Sequence, residues 1–424
     1  MFGKFIDKIR LISKTKKLRN RILFVLGALL TFRLLSAIPM PGVDTFQLQR
    51  FFGDNQFLGL INIFSGGGLS NISIMMLGVA PYITASIIFQ LLTMMSEKLK
   101  AMYHEEGEAG RRKFAMYSRY LTLPLAVVQG FGFTFLLQQQ GILPSLTSLT
   151  LITTIVTITA GSILLMWIGE LITEFGIGNG MSLIIFSGIV AGLPVGISQV
   201  LFSYDASQIP TLIAFVFVAL AIIFGVVIIT EAERPIPITY AKQVRGNKVY
   251  GGTSTYLPLR VNQSGVIPII FALSILLLPQ MFINFLGSVQ VVWVQLLVGW
   301  VNAFANNLLA YGITYFVLVF LFTYFYTAVT FDPDAISKNL QKGGAFIPGV
   351  RPGESTSKYI ASVLTRITLV GALFLGFIAV LPIIVQGLSG ITSLTIGGTA
   401  LLIAVSVVID LIKKVDAQVT MREY

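Results

Sequence analysis

The sequence contains no cysteine and a single histidine, His104, among its 424 residues. Without cysteine the chain can form no disulfide, no thiolate nucleophile and no cysteine-ligated metal or iron–sulfur site. A single histidine also excludes HExxH zinc sites and multi-histidine metal centres. These absences remove most metalloenzyme and hydrolase chemistry, so we expect neither an enzyme nor a bound cofactor.

Charged residues are scarce as well. They make up 11% of the chain, whereas 55% is hydrophobic, and an average soluble domain is about 25% charged. A bilayer core about 30 Å thick requires roughly 20 apolar residues for each helical span. We therefore predict an all-α integral membrane protein with ten transmembrane helices. The predicted spans are 22–38, 73–95, 117–137, 150–169, 182–202, 210–230, 264–286, 308–330, 360–384 and 394–412.

The net charge of +11 is distributed very unevenly between the two sides of this predicted bundle. If the N-terminus is cytoplasmic, 26 of the 29 lysines and arginines fall on the cytoplasmic side, and only Arg50 falls in an outside loop. This asymmetry follows the positive-inside rule and predicts that both termini are cytoplasmic. The cytoplasmic segments are then 1–21, 96–119, 170–181, 231–263, 331–358 and 413–424.

Two of these cytoplasmic segments, 231–263 and 331–358, are longer than connectors need to be. Both combine β-branched residues, turn formers and basic residues, which predicts hairpins or short helices. Loops longer than about 12–15 residues are usually functional or disordered, and the mixed composition of these two favours function. We expect a soluble partner to bind on the cytoplasmic side.

Three consecutive glycines, Gly66, Gly67 and Gly68, follow the short apolar stretch 57–65. Glycines interrupt a helix, and non-helical backbone at membrane depth requires surrounding protein or a water-filled cavity. Two interpretations remain open. The stretch is either an extracellular loop turned by its glycines or a re-entrant half-helix that enters a cavity from outside, as along a transport path.

Ten spans can be divided into two five-span halves, 22–202 and 210–412, with the second half inverted relative to the first. No residue-level repeat supports this division, which follows from the span count alone. The charged residues in or beside the predicted spans lie near span ends. An ion-coupled pump usually needs a charge near the bilayer centre, so this placement disfavours one. A multi-span secondary transporter would require a central titratable residue and short cytoplasmic loops. A membrane-embedded enzyme would require paired acids, histidines or a nucleophile motif.

Long motifs run through nearly the whole chain in a characteristic order. They include INIFSGGG, GVAPYITASIIFQLLT, EGEAGRRK at 106–113, MWIGELITEFGIGNGMSLIIFSGIVAGLP at 166–194, the block 240–272 and SKNLQKGGAFIPGVRPGESTSKYI at 337–360. These motifs resemble the SecY family, the central channel subunits of bacterial protein translocases. The resemblance implies two inverted five-helix halves around a central pore. It also implies a location in the bacterial cytoplasmic (inner) membrane.

The resemblance further implies that the channel translocates unfolded secretory polypeptides and releases hydrophobic segments sideways into the lipid. A ring of apolar side chains, the pore ring, would close its waist. The pore-ring positions are Val79, Ile83, Met181, Ile185, Ile270 and Ile403. Positions 79 and 83 are four apart, as are 181 and 185, so each pair shares one helix face. Met181 replaces the isoleucine more usual in the family, and its flexible thioether can still seal.

The remaining implied sites are a plug, a lateral gate and a motor contact. The plug, about 60–72, includes Ile63, Phe64, Ser65, Gly66, Gly67 and Gly68. The gate positions are Gln90 and Asn262, although both can be ordinary interfacial polar residues. Arg351, Arg245 and Lys248 are implied to contact a motor or ribosome. The implied partners are SecE-like and SecG-like small membrane subunits, a SecA-like motor ATPase or ribosome, secretory and membrane protein precursors, and the lipid bilayer.

Overall fold

The structure is a computed structural model that describes residues 15–40, 72–104, 106–139, 143, 147–202, 209–241, 243–245, 248–250, 254–286, 291–389 and 392–423. These residues are mostly helical, and a helix overlaps each of the ten predicted spans. Three of the described segments are long and apolar enough to cross a membrane, namely Ser148–Phe175, Leu308–Lys342 and Glu354–Ile384. Other apolar helices are shorter where described, so the count of ten spans remains a prediction.

The helices of the first part of the chain precede the first strand. They are α1 (Lys16–Ser36), α2 (Ala80–Met95), α3 (Glu97–His104), α4 (Gly107–Gln139), α5 (Ser148–Phe175), α6 (Gly180–Phe202) and α7 (Ile209–Glu231). The later helices are α8 (Ile267–Leu286), α9 (Val292–Asn306), α10 (Leu308–Thr330), α11 (Pro333–Lys342), α12 (Glu354–Ser389) and α13 (Thr392–Glu423). Helix α9 lies in no predicted span.

Helix α2 begins later than hydropathy predicted, at Ala80 instead of residue 73. The preceding residues form turns, and the backbone at 72–74 pairs with that at 38–40. The N–H of Met40 donates to the carbonyl of Ile72 at 2.9 Å. Pro81 then occupies the first turn of α2, where its missing N–H leaves no helix hydrogen bond unmade. The apolar run therefore contains a turn before the helix.

Short strands lie in the two long segments for which the sequence predicted hairpins or short helices, and the structure confirms that prediction. The strands are β1 (Glu233–Tyr240), β2 (Gln243–Arg245), β3 (Lys248–Tyr250), β4 (Ser254–Arg260) and β5 (Ala345–Phe346). One antiparallel sheet has the order β4–β1–β5, and β2 and β3 form a separate hairpin. Helix α11 is the predicted short helix of the second segment.

The chain divides into two compact units. The first comprises Met1–Ala219, Ser274–Tyr311 and Pro382–Tyr424, and the second comprises Leu220–Leu273 and Gly312–Leu381. In the first unit α2 packs on α4, α4 on α5, α5 on α6, and α6 on α13. The division into five-span halves is a separate matter and stays a prediction.

The core of the second unit lies between the small sheet and the start of α12. It contains the buried side chains Ile236, Ile238, Leu259, Ala345, Ile347, Ile360, Val363, Leu364 and Ile367. Strand β1 reads exposed–buried–exposed around its two isoleucines, which is the period of two expected of a strand with one buried face. Full burial of one such side chain contributes about 1.5–3 kcal/mol.

Candidate functional site

The predicted pore-ring residues are apolar and mostly buried. Val79, Ile83, Ile185, Ile270 and Ile403 are between 0% and 8% exposed, and Met181 is half-buried. All lie in the first unit except Ile270, which is on α8 in the second. Burial fits ordinary packing and a closed ring equally well, so the ring itself remains a prediction.

The backbone at Val79 and Ile83 is held by contacts with α5. Val79 is the residue that precedes α2, and its carbonyl accepts a 3.0 Å hydrogen bond from the N–H of Ile83. Gly78, with φ +58°, makes the turn, and its carbonyl accepts a 2.8 Å hydrogen bond from the Ser162 hydroxyl. A Cβ atom on Gly161 would overlap the carbonyl of Ile74. The start of α2 is therefore packed against α5 without room for adjustment.

The corner between α5 and α6 positions Met181. Asn179 Oδ1 accepts hydrogen bonds from the N–H groups of Met181 at 3.0 Å and Ser182 at 3.3 Å, which caps the first turn of α6. The N–H of Gly180 donates to the hydroxyl of Thr173 at 2.9 Å. The Sδ and Cε atoms of Met181 lie 2.7 Å from the place that a Cβ on Gly169 would occupy. The tip of Met181 therefore rests against α5.

The predicted plug and gate residues are described unequally. Ile63 to Gly68 lie outside the described residues. Gln90 donates from Nε2 to the Ser86 hydroxyl at 3.1 Å, whereas its buried Oε1 has no partner within the described part of the chain. Asn262 is 7% exposed, donates to the carbonyl of Gly265 at 3.2 Å and accepts from the Ser264 hydroxyl. Asn262 thus shapes the turn before α8, and the gate assignment of both residues remains a prediction.

The two long segments form one body, which we call the loop body (231–263 and 331–358). Thr239 pairs with Phe346 and Tyr240 with Ala345, so β5 of the second segment extends the sheet of the first. The N–H of Ala241 also donates to the carbonyl of Gly344 at 2.8 Å. Sequence reasoning treated the two segments as separate loops.

Arg351 is exposed on a turn of the loop body, residues 347–353, which we call the Arg351 turn. Gly349 and Gly353 have φ values of +83° and +96°, which glycine adopts without the steric cost that a Cβ brings. The Arg351 carbonyl accepts a 2.8 Å hydrogen bond from the Thr356 hydroxyl. Ile347, at the start of the turn, is 2% exposed within the core of the second unit. The turn is anchored at both ends, and the guanidinium projects from a fixed backbone.

The helix that follows the Arg351 turn carries an ion pair in its first turn. Lys358 Nζ lies 2.7 Å from Glu354 Oε1. The hydrogen bond to Lys358, together with its charge, lowers the pKa of Glu354, and the same contacts raise the pKa of Lys358. Both side chains are exposed, so the pair changes the local charge pattern more than the stability.

Arg245 and Lys248 lie at the end of the hairpin β2–β3 and are paired in its register. The hairpin lies between β1 and β4 in the sequence. Two basic residues are thus paired in register at one end of the two strands. No group of three or more acidic or histidine residues within the described ranges could hold a metal ion.

Sequence reasoning missed an ion pair between α4 and α5. Arg119 Nε lies 2.6 Å from Glu170 Oε1, and the two side chains are 44% and 20% exposed. The sequence indicates that Glu170 lies near a predicted span end and that Arg119 belongs to the cytoplasmic segment 96–119, and it does not pair them. Their opposite sign on adjacent predicted spans, at the same predicted membrane side, was the signal that could have paired them.

Solved structures of other proteins have a fold similar to that of this chain. The chain has the fold of a solved protein conducting channel, with a TM-score of 0.66 at 17% identity over 94% of this chain and 92% of that one. It is also similar to canine Sec61 in a ribosome–channel complex from the endoplasmic reticulum, with a TM-score of 0.62 at 16% identity and the same coverages, 94% and 92%. At such identities the likeness shows the fold alone.

Sequence relatives are more specific. A model of the SecY family matches residues 73–412. The protein translocase subunit SecY of Mycobacterium tuberculosis strain H37Rv is 42% identical over 445 aligned positions, covering 100% of this chain and 99% of that protein. The protein translocase subunit SecY of Synechocystis sp. strain PCC 6803 is 42% identical over 422 positions, covering 96% and 93%. The chain belongs to the SecY family.

Proposed function

We propose that this chain is a protein-conducting channel, which translocates unfolded secretory polypeptides across a membrane and releases hydrophobic segments sideways into the lipid. The observation that carries the proposal is membership of the SecY family by a chain whose ring positions are apolar and, but for Met181, almost fully buried. A secondary transporter is not favoured, since the relatives are translocase subunits.

An apolar constriction suits this function for physical reasons. A translocating chain can have any sequence, so its path must offer no sequence-specific polar contacts. A narrow apolar waist loses its water when empty and then blocks ions. Hydrophobic segments leave through the side, because moving apolar surface out of water releases roughly 25 cal/mol per Å². That exit requires a seam, for which Gln90 and Asn262 are the candidate residues.

The chain is a membrane protein, and we propose the inner membrane with both termini cytoplasmic. The asymmetry of the lysines and arginines supports this orientation. We propose ten spans in two inverted halves, with the plug at about 60–72 between the first and second spans. SecE-like and SecG-like subunits would complete the assembly in the bilayer.

The energy for translocation would come from a SecA-like ATPase or a ribosome bound to the loop body. The similarity to Sec61 from a ribosome–channel complex supports such a partner. Arg351 supports it locally, because an exposed guanidinium on an anchored turn offers a planar fork to carboxylates or phosphates. Arg245 and Lys248 on the hairpin would add charge to the same contact.

Ion conductance of proteoliposomes tests the seal. Deletion of about 60–72, or the double change Ile83→Ser and Ile270→Ser, is expected to raise conductance because a polar waist stays wet. The matched controls are Ile152→Ser and Ile313→Ser, at residues 60% and 58% exposed on α5 and α10. They remove the same side chain outside the ring and are expected to leave conductance low. Unchanged conductance in both the deletion and the ring variant would overturn the pore assignment.

A further inference from the structure

Helix α9 has three chemically distinct faces. An exposed apolar face carries Val292, Trp293, Leu296, Leu297 and Trp300, all between 51% and 77% exposed. A second face packs on the protein through Val294, which is 3% exposed. A third face is polar and exposed, with Gln295 and Asn302. At 3.6 residues per turn these three sets occupy separate thirds of the helix.

A fixed elbow connects α9 to the next helix. Asn307 is the only residue between α9 and α10, and its Oδ1 accepts hydrogen bonds of 3.1 Å from the N–H groups of Leu309 and Ala310. Its own N–H donates to the carbonyl of Phe304 at 3.2 Å. The rings of Phe304 and Tyr311 lie 6.3 Å apart across the elbow. Because α10 begins a segment apolar and long enough to span a membrane, α9 lies at the level where that span ends.

The stretch of sequence that contains α9 carries no charged residue. Between Arg260 and Asp332 the sequence has no aspartate, glutamate, lysine, arginine or histidine. The start of α10 also exposes an apolar side chain, that of Leu309, which is 71% exposed. A helix with one face in water and one on the protein has no need of a third face of this kind. An exposed apolar face with two tryptophans, next in the chain to a segment long and apolar enough to span a membrane, fits the boundary between lipid headgroups and acyl chains.

We propose that α9 lies flat in the membrane interface, on the outer side to which the predicted orientation assigns the start of α10. Its apolar face is buried among the lipids, with Trp293 and Trp300 at headgroup level. Its polar face, with Gln295 and Asn302, is turned to water. The helix thereby fixes the depth of the adjoining end of α10. The contact between α9 and lipid would exist in the resting protein. The proposal therefore does not depend on whether the chain conducts polypeptides.

The three tryptophans of the chain, Trp167, Trp293 and Trp300, allow a direct test. Variants with two Trp→Phe changes leave one tryptophan each, and the complete translocase is reconstituted in vesicles containing lipids with a nitroxide high or low on the acyl chain. Trp293 and Trp300 are expected to lose more emission with the shallow label than with the deep label, and little with aqueous iodide. Trp167, 60% exposed on α5, is the control for access of the labels to the protein.

Each other result overturns the proposal. Strong quenching by iodide with none by either lipid label would place the face in water or against a soluble partner. Quenching by neither reagent would mean that a membrane subunit or a second copy of the chain covers the face. Greater quenching by the deep label would place α9 within the bilayer core. Phenylalanine retains the apolar ring, so the variants are expected to fold.

Discussion

The hydroxyl of Ser337 donates a 2.6 Å hydrogen bond to the carbonyl oxygen of Gly353. This bond joins helix α11 to the end of the Arg351 turn, sixteen residues later in the chain. Ser337 is 3% exposed, so the bond is sheltered from water. Helix α11 is itself fixed at its start, where Asp332 Oδ1 accepts from the N–H groups of Asp334 and Ala335. A capped helix thus holds the turn from behind.

Ser337→Ala is expected to loosen the Arg351 turn. The substitution removes one of two hydrogen bonds to the Gly353 carbonyl, which still accepts from the N–H of Ser357 at 3.1 Å. The expected cost is therefore that of a single hydrogen bond, about 0.5–1.5 kcal/mol. Amide hydrogen exchange across 347–357 should quicken relative to the wild type. Ser355→Ala is the matched control, because Ser355 is exposed and the change leaves the anchor intact. Equal exchange in the Ser337 and Ser355 variants would show that the turn is held by its core contacts alone.

Arg351→Glu is expected to abolish translocation driven by a motor or ribosome while leaving assembly with the small membrane subunits intact. The change reverses the charge at the tip of an anchored turn. Arg351→Lys should retain part of the activity, since lysine keeps the charge without the planar fork. Transport of a secretory precursor into vesicles measures both. Lys338→Glu, an exposed charge reversal on α11, is the control within the loop body. If Arg351→Glu transports the precursor at the wild-type rate, Arg351 is not a coupling residue and contributes only a positive charge to the orientation of the chain in the membrane.

The hairpin β2–β3 is expected to contribute less to the same partner contact. Arg245→Glu or Lys248→Glu should weaken partner binding by less than Arg351→Glu does. The weakening should be greater at low salt, because charge–charge interactions through water are screened within about 10 Å at 0.1 M ionic strength. Binding of the motor measured at two salt concentrations gives both comparisons. A loss independent of salt would point to a structural role of the hairpin.

Gly180→Ala is expected to destabilise the protein strongly. A Cβ there would overlap the carbonyl oxygen of Gly169, and backbone cannot yield as a side-chain tip can. The cost should reach about 1–3 kcal/mol or more, as for other overpacked sites. Gly192→Ala, on the same helix with no atom within 4 Å of the new Cβ, should be neutral or stabilising by up to about 1 kcal/mol. Thermal unfolding in detergent compares the two, and equal midpoints would refute the close approach of α5 and α6.

Labelling tests the predicted orientation, helped by a chain without native cysteine. Cysteine in place of Ser254 or Ser355 is expected to react with a membrane-impermeant thiol reagent only from the cytoplasmic face. Cysteine in place of Ser148, at the start of α5, should react only from outside. Reaction of the Ser355 variant from outside would overturn the ten-span arrangement.

Local patterns predicted much of this fold. Long apolar runs predicted where helices occur. A run of about 20 apolar residues can be identified from the local sequence alone, without knowledge of what it packs against. The predicted start of α2 was wrong. The turn at 72–79 is as apolar as a helix, and it depends on pairing with 38–40, which hydropathy does not show. Helix α9 was missed, because its 15 residues are too few for a span and mix apolar with polar positions.

The site was less accessible to sequence reasoning. The pairing of Thr239 with Phe346 joins residues more than a hundred positions apart, and neither short strand carries a pattern that identifies its partner. The anchor from Ser337 to Gly353 likewise depends on how α11 packs. Arg351 could be singled out by its flanking glycines and its family motif, whereas the predicted pore ring consists of residue types that also fill ordinary cores.

The sheet of the loop body has a mechanical consequence. Strand β1 starts two residues after the end of α7, β4 leads through a short turn into α8, and β5 lies shortly before α12. Because β1 is paired with both β4 and β5, a force applied to this sheet is expected to act on two strand pairings at once. We expect such a force to reach the ends of α7, α8 and α12 together, since each helix end is close in sequence to one of the three strands. A partner that displaces this sheet would move the three helix ends together. Two separate loops without shared strand pairing would not couple them in this way.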